Sequence, residues 1–393
     1  MRNLKRALSL GLTAAMISGL MVMGSSAASY ADVTSEDNVE AIEVLQTVGI
    51  MVGDENGNFN PDANVTRNEM AVVMSNLLDL KVEDFNAADI PFTDVPSWAV
   101  AYVAACYADG ITSGTSATTY GGSNTVTAAQ AALMMMKALG YFQYQGDFEQ
   151  DWTLATIKKG SEIGIFDGIT VDRTSPLTRN DVAQMALNAL KLNMVTFTGE
   201  VGIEIPTAGG QSIVVGYKAE YTPRTSANRQ YDSIDTGTTN IAANDQFYVQ
   251  LGEDLYGGDL KRDDNVRDAF GRPGTKWSYK STSIGTFNDD PIATYTAKAS
   301  KGDLYSLLGS STVGDLDVVA AFDADKDDQL IVYVDGSVVS TAGEDIKNYF
   351  VRSSSAGGAS GKGVTTEVYK DNDGNVTLVY INTYVMQATN DYS

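Results

Sequence analysis

The first half of the chain repeats one short motif three times. The pattern Gly-Ile-x-x-Gly occurs at residues 49–53, 110–114 and 164–168. A threonine that opens an amphipathic run follows the first glycine of each copy, after 17, 17 and 14 residues. A unit copied with small changes in loop length predicts a repeat architecture, in which neighbouring units bury their apolar faces against one another. Because no enzyme signature accompanies the motif, the repeats indicate binding rather than catalysis.

The three threonines mark helix starts. Each is followed three residues later by a side chain that can complete a capping box. These pairs are Thr66 with Glu69, Thr127 with Gln130, and Thr178 with Asp181. Apolar residues then recur at helical spacing, and the three stripes coincide when shifted by 61 and 112 residues. A second helix is predicted before each glycine motif, so each unit is helix, glycine turn, loop and helix.

Several of these segments together resemble the S-layer homology domain. The resemblance rests on Pro91–Ala99, Gly53–Pro61, Val65–Glu69 and Leu177–Asp181. It covers roughly residues 35–196 and implies three repeats, at 35–84, 85–145 and 146–196. The family implies a pseudo-threefold helical bundle on a cell-surface protein. It also implies non-covalent anchoring to secondary cell-wall polysaccharide, often through a pyruvylated sugar.

The N-terminus predicts export. Residues 1–31 combine a basic start, an apolar stretch of 17 residues from Ala7 to Met23, and small residues that suit a signal peptidase. Cleavage is expected after Ala31, with Ala28 as the alternative, and an uncleaved membrane anchor stays open because the apolar stretch is long. No second run of spanning length follows, so no transmembrane segment is expected after cleavage. The predicted location is the cell wall or cell surface, as in an S-layer.

Composition excludes several functional classes. The chain has 27 basic and 50 acidic residues, a formal net charge of −23, so nucleic acid is not an expected partner. Histidine is absent, which excludes histidine-based triads and histidine-ligated zinc. A single cysteine, Cys106, excludes a disulfide framework and is expected to be buried and inert. No cofactor is required by any motif.

The second half changes from helical spacing to short β-branched runs separated by turn residues. Residues 197–393 are therefore predicted to be all-β, with a soft boundary near residue 300. Two hairpins are expected, around Asp323–Asp328 and around Asp371–Asn375. Predicted strands are Ile213–Tyr217, Gln246–Leu251, Val318–Phe322, Leu330–Val334, Thr366–Tyr369 and Val376–Ile381. The predicted fold class is α+β multidomain, with an all-α half followed by an all-β half.

Two arginines stand where helix stability does not favour them. Arg67 and Arg179 fall in the first turn of predicted helices, where the backbone dipole disfavours a cation. An anion site explains the placement, because a guanidinium beside Thr66 and the free N–H groups of a helix start can grip a carboxylate. The alternative is that the arginines pair with loop carboxylates such as Asp62 or Asp172. The resemblance favours the ligand, and makes Thr66, Arg67 and Arg179 candidate polysaccharide contacts.

Two tryptophans and the aspartates before them are further candidates. Trp98 and Trp152 each stand 12 residues before the first glycine of their unit. An indole face can stack on a sugar ring while its N–H donates, although a tryptophan at helical spacing is more often part of the core. Asp94 and Asp151 either cap helices or bind sugar hydroxyls, and capping is the more common role.

The repeats are not expected to be equivalent. If they contact one another in chain order, Arg67 meets Asp94 and Trp98. Ala128 stands where the other repeats have arginine, which weakens the second groove. Arg179 returns to the first repeat, which lacks a tryptophan at the equivalent place by glycine spacing. The groove of Arg67 alone is therefore predicted to hold the full set.

A calcium site is the one metal site that the sequence suggests. Asp323, Asp325 and Asp327 have the opening spacing of a calcium loop, but Asp328 and Val334 replace the glycine and glutamate that an EF-hand needs. A calcium site at a hairpin tip remains as an interpretation beside a solvated acidic turn.

The function predicted from these features is wall anchoring without enzymatic activity. The outer half is expected to be structural or S-layer-like material, and self-assembly into a surface lattice is a candidate activity. The alternatives are a wall-anchored glycan-active enzyme with two catalytic carboxylates in a cleft, and an adhesin whose β-rich half binds glycans through exposed aromatic residues.

Overall fold

A computed structural model gives the structure of the protein in two units. The first comprises Met1–Arg262 and Trp277–Gly285, and the second comprises Asp263–Lys276 and Thr286–Ser393. The structure describes residues 30–149, 151–206, 212–226, 240–241, 246–296, 301–309, 316–319, 329–338, 364–371 and 374–382. The predicted signal segment lies outside these residues except for its last two positions. No described helix is both long enough and apolar enough to cross a membrane.

Six helices form the first part of unit one. They are α1 Val39–Val48, α2 Arg67–Leu77, α3 Val100–Ala108, α4 Ala128–Ala138, α5 Trp152–Ile163 and α6 Arg179–Lys191. Short 3-10 helices lie at Val82–Asp84, Ala87–Asp89 and Gln145–Phe148. The predicted capping boxes are present at Thr66, Thr127 and Thr178, which begin α2, α4 and α6. Each box satisfies N–H groups that the first helical turn cannot.

The helices pack in an order that closes on itself. Helix α2 packs on α3, α4 packs on α5, and α6 returns to α1. The segments before α2, α4 and α6 also join one another through backbone hydrogen bonds. Val65 N–H donates to Leu177, Leu177 N–H donates to Val126, and Val126 N–H donates to Val65, at 3.0, 3.0 and 2.8 Å. The three predicted repeats therefore contact one another in chain order, as the sequence predicted.

The glycine motif has a separate task at each end. Its first glycine lies at or just after the end of a helix with φ of +81°, +72° and +84° at Gly49, Gly110 and Gly164, a conformation that glycine adopts without strain. Its last glycine makes room for an aromatic ring in two repeats. A Cβ atom on Gly53 or Gly114 would lie 2.4 Å from the ring of Tyr30 or Phe92.

The rest of unit one mixes strands with one helix. Its elements are β1 Val195–Phe197, β2 Ile203–Pro206, β3 Ser212–Val215, β4 Tyr221–Pro223, β5 Thr225–Ser226, β6 Asn240–Ile241, β7 Gln246–Tyr248 and α7 Leu251–Tyr256, with a 3-10 turn at Gly257–Asp259. Strand β1 pairs with β4, β2 pairs with β3, and β7 lies between β5 and β6. Three longer strands follow in the order β10-β9-β8. They are β8 Leu260–Arg267, β9 Pro273–Tyr279 and β10 Thr282–Asn288.

Unit two contains a six-stranded mixed sheet. Its strands are β11 Ala293–Tyr295, β12 Asp317–Val318, β13 Gln329–Val334, β14 Ser337–Val338, β15 Val364–Lys370 and β16 Val376–Asn382, and helix α8 spans Lys301–Leu308. The strand order is β11-β15-β16-β13-β12, and β14 pairs with β13. The core beneath the sheet is aliphatic and includes Leu308, Leu330, Val332 and Leu378.

The structure agrees with an α+β fold and corrects two predictions for the second half. That half is not all-β, because α7 and α8 are helical. The predicted strand ending at Leu251 is cut short, since Gln250 and Glu253 form a capping box there. The hairpin expected around Asp323–Asp328 is also wrong, because β12 and β13 pair in parallel. The hairpin around Asp371–Asn375 is confirmed by the antiparallel pairing of β15 and β16.

Candidate functional site

Arg67 lies against the loop of the next repeat. Its Nη2 atom donates to the carbonyl of Ser113 at 2.8 Å, and its Nε atom donates to the carbonyl of Tyr120 at 3.3 Å. The guanidinium carbon is 4.8 Å from the centroid of the Tyr120 ring, which is fully buried. Ser113 is the fourth residue of the second glycine motif, so the motif supplies a carbonyl that orients this arginine.

Asp94 holds the same loop from the other side. Its carboxylate accepts from the backbone N–H groups of Tyr120 and Gly121, at 2.7 and 2.8 Å. These hydrogen bonds, with a smaller contribution from the charge of Arg67, lower the pKa of Asp94. The capping role is therefore wrong for Asp94, because it fixes a loop rather than a helix start. We call Arg67, Asp94, Ser113, Tyr120 and Gly121 the Arg67 site.

A second arrangement of the same form surrounds Arg179. Its Nε and Nη2 atoms donate to the carbonyls of Phe59 and Val52, at 2.7 and 2.9 Å. The guanidinium carbon lies 4.6 Å from the centroid of the Phe59 ring. Asp32 accepts from the N–H groups of Phe59 and Asn60 at 2.9 and 2.6 Å. We call these five residues the Arg179 site, and it matches the Arg67 site contact for contact.

The sequence analysis missed Asp32, although a signal for it exists. Asp32-Val33-Thr34-Ser35 repeats the Asp-Val-x-Ser pattern that begins at Asp94, and this alignment places Glu36, not Asp37, opposite Trp98. Counting from the glycine motif concealed the match. The ranking that gave a full set to the groove of Arg67 alone therefore loses part of its basis, since the Arg179 site lacks only the tryptophan.

The described N-terminal residues extend this site. The Tyr30 hydroxyl accepts from the Gly53 N–H at 2.7 Å, and the Tyr30 ring packs 5.6 Å from that of Phe59. Tyr30 is buried. Signal cleavage after Ala31 would remove these contacts, whereas the alternative cleavage after Ala28 would retain them.

Neither arginine is neutralised by a carboxylate among the described residues. The ion pairs found there do not include Arg67 or Arg179, so pairing with Asp62 or Asp172 is not observed. Two of the five N–H groups of each guanidinium bond to neutral carbonyls, and the others make no hydrogen bond within the described residues. Burial lowers the pKa of Arg179, which shows that the cation is partly desolvated.

The helix starts do not offer free N–H groups, contrary to the prediction. The N–H groups of Arg67 and Asn68 donate to the carbonyls of Asn124 and Gly122. Those of Arg179 and Asn180 donate in the same way to Ala63 and Pro61. The contacts between repeats consume these donors, so any anion must be held by the guanidinium groups and not by the helix ends.

The position of Ala128 is served by a different arginine. Arg173, from the loop that packs on α4, donates through Nη1 to the carbonyls of Ile169 and Val171, both at 3.4 Å. Its guanidinium carbon lies 4.3 Å from the centroid of the Phe166 ring. Val171 takes the place that Tyr120 holds in the Arg67 site. We call this the Arg173 site. Sequence reasoning missed it because the arginine comes from the loop.

The remaining predicted site residues divide into exposed and structural groups. Trp98 and Trp152 are 55% and 41% exposed, so the interpretation of these rings as core is wrong. Asp151 is a helix cap that accepts from the N–H groups of Thr153 and Leu154. The Thr66 hydroxyl donates to Glu69 at 2.7 Å and accepts from its N–H, so it is engaged in the capping box.

The predicted calcium ligands Asp323, Asp325 and Asp327 lie outside the described residues, and the calcium site stays a prediction. Within the described ranges no group of three or more acidic or cysteine side chains is arranged to hold a metal ion. Cys106 is buried in α3, and burial raises the pKa of its thiol to about 11. This agrees with an inert thiol.

Comparison with known proteins adds a family to this geometry. Two segments of the chain match the S-layer homology domain. They are residues 29–71 and 91–132, and they contain Asp32, Arg67, Asp94 and Tyr120. The third predicted repeat, with Arg179, lies outside the matched segments. The S-layer homology assignment is therefore shown for these two segments.

The relatives are surface proteins for the most part. A "Surface-layer 125 kDa protein" of Lysinibacillus sphaericus is 30% identical over 189 residues, which is 44% of this chain and 16% of the relative. A "Cell surface protein" of Thermoanaerobacter kivui is 26% identical over 253 residues, 62% of this chain and 32% of the relative. An "Endoglucanase" of Bacillus sp. (strain KSM-635) is 33% identical over 108 residues, 25% of this chain and 12% of the relative.

The chain thus spans a third or less of the length of these relatives. Together with the S-layer homology segments, the surface proteins among them place the protein at the cell surface, in the cell wall.

Proposed function

We propose that the protein is anchored non-covalently to an acidic secondary cell-wall polysaccharide by three S-layer homology repeats. The repeats form a pseudo-threefold bundle. Support comes from the three helix pairs that close in a ring and from the matching hydrogen bonds among Val65, Val126 and Leu177. Each junction between repeats carries one arginine on a loop of fixed shape. The anchor is not an enzyme.

The observation that carries the proposal is the pair of uncompensated arginines. The chain has a formal charge of −23, so carboxylates are abundant, yet Arg67 and Arg179 bond to carbonyls instead. Holding a guanidinium in place without a counter-charge costs desolvation free energy that an incoming anion can recover. The two carbonyl contacts fix the plane of the fork and leave N–H groups for a second, charged partner.

A carboxylate on a sugar fits this fork best. A pyruvyl group presents two oxygens to one guanidinium, which accepts the bidentate geometry that arginine prefers. The exposed Trp98 and Trp152 supply aromatic faces on which sugar rings can stack. Asp94 and Asp32 act as positioning residues, because they hold the loops whose carbonyls orient the arginines. Thr66 acts in the same indirect way, through the start of α2.

The outer region is proposed to be structural, S-layer-like material. A glycan-active enzyme is the weaker alternative, since the similarity to the endoglucanase covers only 25% of this chain. An adhesin remains the other alternative, and binding of a host or partner glycan by the wall-bound protein would favour it.

The proposal is tested by sedimenting the full-length mature protein with purified cell walls. Removing a charge-assisted hydrogen bond to a desolvated group costs about 1.5–3 kcal/mol, or roughly tenfold to a hundredfold in affinity. Arg67→Ala and Arg179→Ala are each expected to weaken binding by this amount, and the double variant more. The charge-matched control is Lys218→Ala with Arg224→Ala, which removes two cations from the surface away from the three sites.

Melting curves of all variants show whether each remains folded. Unchanged wall binding by a folded Arg67→Ala and Arg179→Ala double variant would contradict the proposal. So would an equal loss in the control, because that would indicate a general charge effect.

A further inference from the structure

Exposed apolar side chains of unit one concentrate on a single hairpin. Among the described residues, 13 large hydrophobic side chains are exposed, and four of them lie within residues 201–215. They are Val201 at 51%, Ile203 at 72%, Ile205 at 49% and Val215 at 52%. Scattered apolar residues on a surface need no explanation, but a contiguous group marks an interaction site. We call these four residues the hairpin patch.

The strand register places the patch on one face. Ile203 lies directly opposite Val215 in the antiparallel pair β2–β3, and residues opposite each other share a face. Ile205 follows Ile203 by two positions, so it lies on that face as well. Glu204 alternates to the other face. The charged residues Glu200 and Lys218 pair beyond the open end of the hairpin, which gives an apolar centre with a polar margin.

The hairpin is incomplete as a folding element. Within the described part of the chain, β2 and β3 form a sheet of only two strands. An isolated two-stranded hairpin is marginal in water and normally needs a third strand or a packed apolar face. Here the apolar face is exposed and the outer edges of both strands are open. Both features are satisfied when another surface covers the hairpin.

The charge of the chain favours a second copy as that surface. Two molecules of charge −23 repel each other over most orientations. The hairpin patch carries no charge, so two patches can meet where repulsion is least. A second copy also presents an equally flat and equally apolar face, and a two-fold contact of this kind is self-complementary.

We propose that the hairpin patch is a contact between copies of this protein, with Ile203, Ile205 and Val215 at its centre. The inference deepens the proposed layer-forming role of the outer region and rests on it. Four side chains cover much less than the roughly 800 Å² per partner of a standard stable interface. The contact is therefore weak between free molecules and becomes effective when anchoring concentrates copies on a wall.

Sedimentation equilibrium of the mature protein, at a series of concentrations and salt strengths, tests the contact. Self-association is expected to strengthen with salt, because screening reduces the repulsion between acidic chains. Replacing Ile203 and Ile205 by threonine keeps β-branched residues in the strand and removes apolar contact in both copies. This double variant is expected to weaken self-association roughly tenfold or more. Ile292→Thr, at a site that is 45% exposed in unit two, is the matched control.

Cysteine cross-linking gives a second readout. The only native cysteine is buried, so Val215→Cys supplies an accessible thiol at the patch and Ile292→Cys supplies one elsewhere. Faster disulfide-linked dimerisation of Val215→Cys supports the contact. Equal rates, an unreactive Val215→Cys thiol, or unchanged association of the threonine variant would each overturn it. Wall binding by the same variants is expected to be unchanged, so failure of this inference is distinguishable from failure of the anchor.

Discussion

At the residue scale, the arrangement of each arginine depends on a carbonyl from the neighbouring repeat. Arg67 and Arg179 occupy helix positions that the dipole disfavours, and the structure explains why they are tolerated. Each guanidinium donates to two carbonyls and covers a buried aromatic ring, Tyr120 or Phe59. These contacts orient the cation without cancelling its charge.

Glu43 is a second residue whose charge is not compensated. It is buried in α1, and its Oε1 atom has no hydrogen-bond partner among the described residues. Burial raises the pKa of Glu43 to about 7. Because this pKa is higher in the folded than in the unfolded state, the folded protein binds the proton more tightly. The contribution of this group therefore stabilises the fold at acidic pH and is lost as pH rises from about 4.5 through about 7.

Glu43→Gln is expected to change the pH dependence of stability. The amide has nearly the shape of the protonated acid and cannot ionise, so the variant should melt higher than the parent at pH 8. At pH 4 the two melting temperatures should converge. Calorimetry at both pH values measures this, with Glu55→Gln on the exposed loop of the first repeat as the control. A variant that loses stability equally at both pH values would show that ionisation of Glu43 is not the cause.

At the element scale, local features were predictable and long-range pairings were not. The capping boxes at Thr66 and Thr178 were correct because both partners of each box lie within four residues. The parallel pairing of β12 with β13 was missed because it depends on β16, which also pairs with β13 in parallel. An apolar run does not state which neighbour it will join.

The candidate site shows the same limit. Arg67 and Asp94 were found from their own segments, and the predicted chain order of the repeats brought them together. Arg173 was missed because its position depends on how the loop folds over Phe166. Asp94 was expected to cap a helix because a sequence does not show that the N–H groups of Tyr120 lie closer to it.

At the scale of the whole molecule, unit one includes residues far from the repeats in sequence. Trp277 on β9 is completely buried, and its indole N–H donates to Glu40 on α1 at 2.5 Å. The first repeat therefore depends on a side chain 237 residues away. For this reason a fragment that ends near residue 196 is not equivalent to the anchor in the full chain.

Trp277→Ala is expected to destabilise unit one by about 3–5 kcal/mol, the usual cost of removing a large buried aromatic side chain. Trp277→Phe keeps most of the volume and should cost less, leaving the loss of one hydrogen bond to a carboxylate. Chemical denaturation followed by circular dichroism measures both, with the exposed Trp152→Ala as the matched control. If Trp277→Ala were no less stable than the control, Trp277 would not hold unit one together.

The central claim is that an acidic protein holds an acidic wall sugar through arginines fixed between repeats. Isothermal titration calorimetry of the full-length mature protein tests it, using purified secondary wall polymer before and after chemical removal of its pyruvyl groups. Intact polymer should bind, and polymer without the carboxylate should bind roughly tenfold to a hundredfold more weakly. The Arg67→Ala and Arg179→Ala double variant should bind both polymers weakly. Equal affinity of the parent protein for the two polymers would contradict the account.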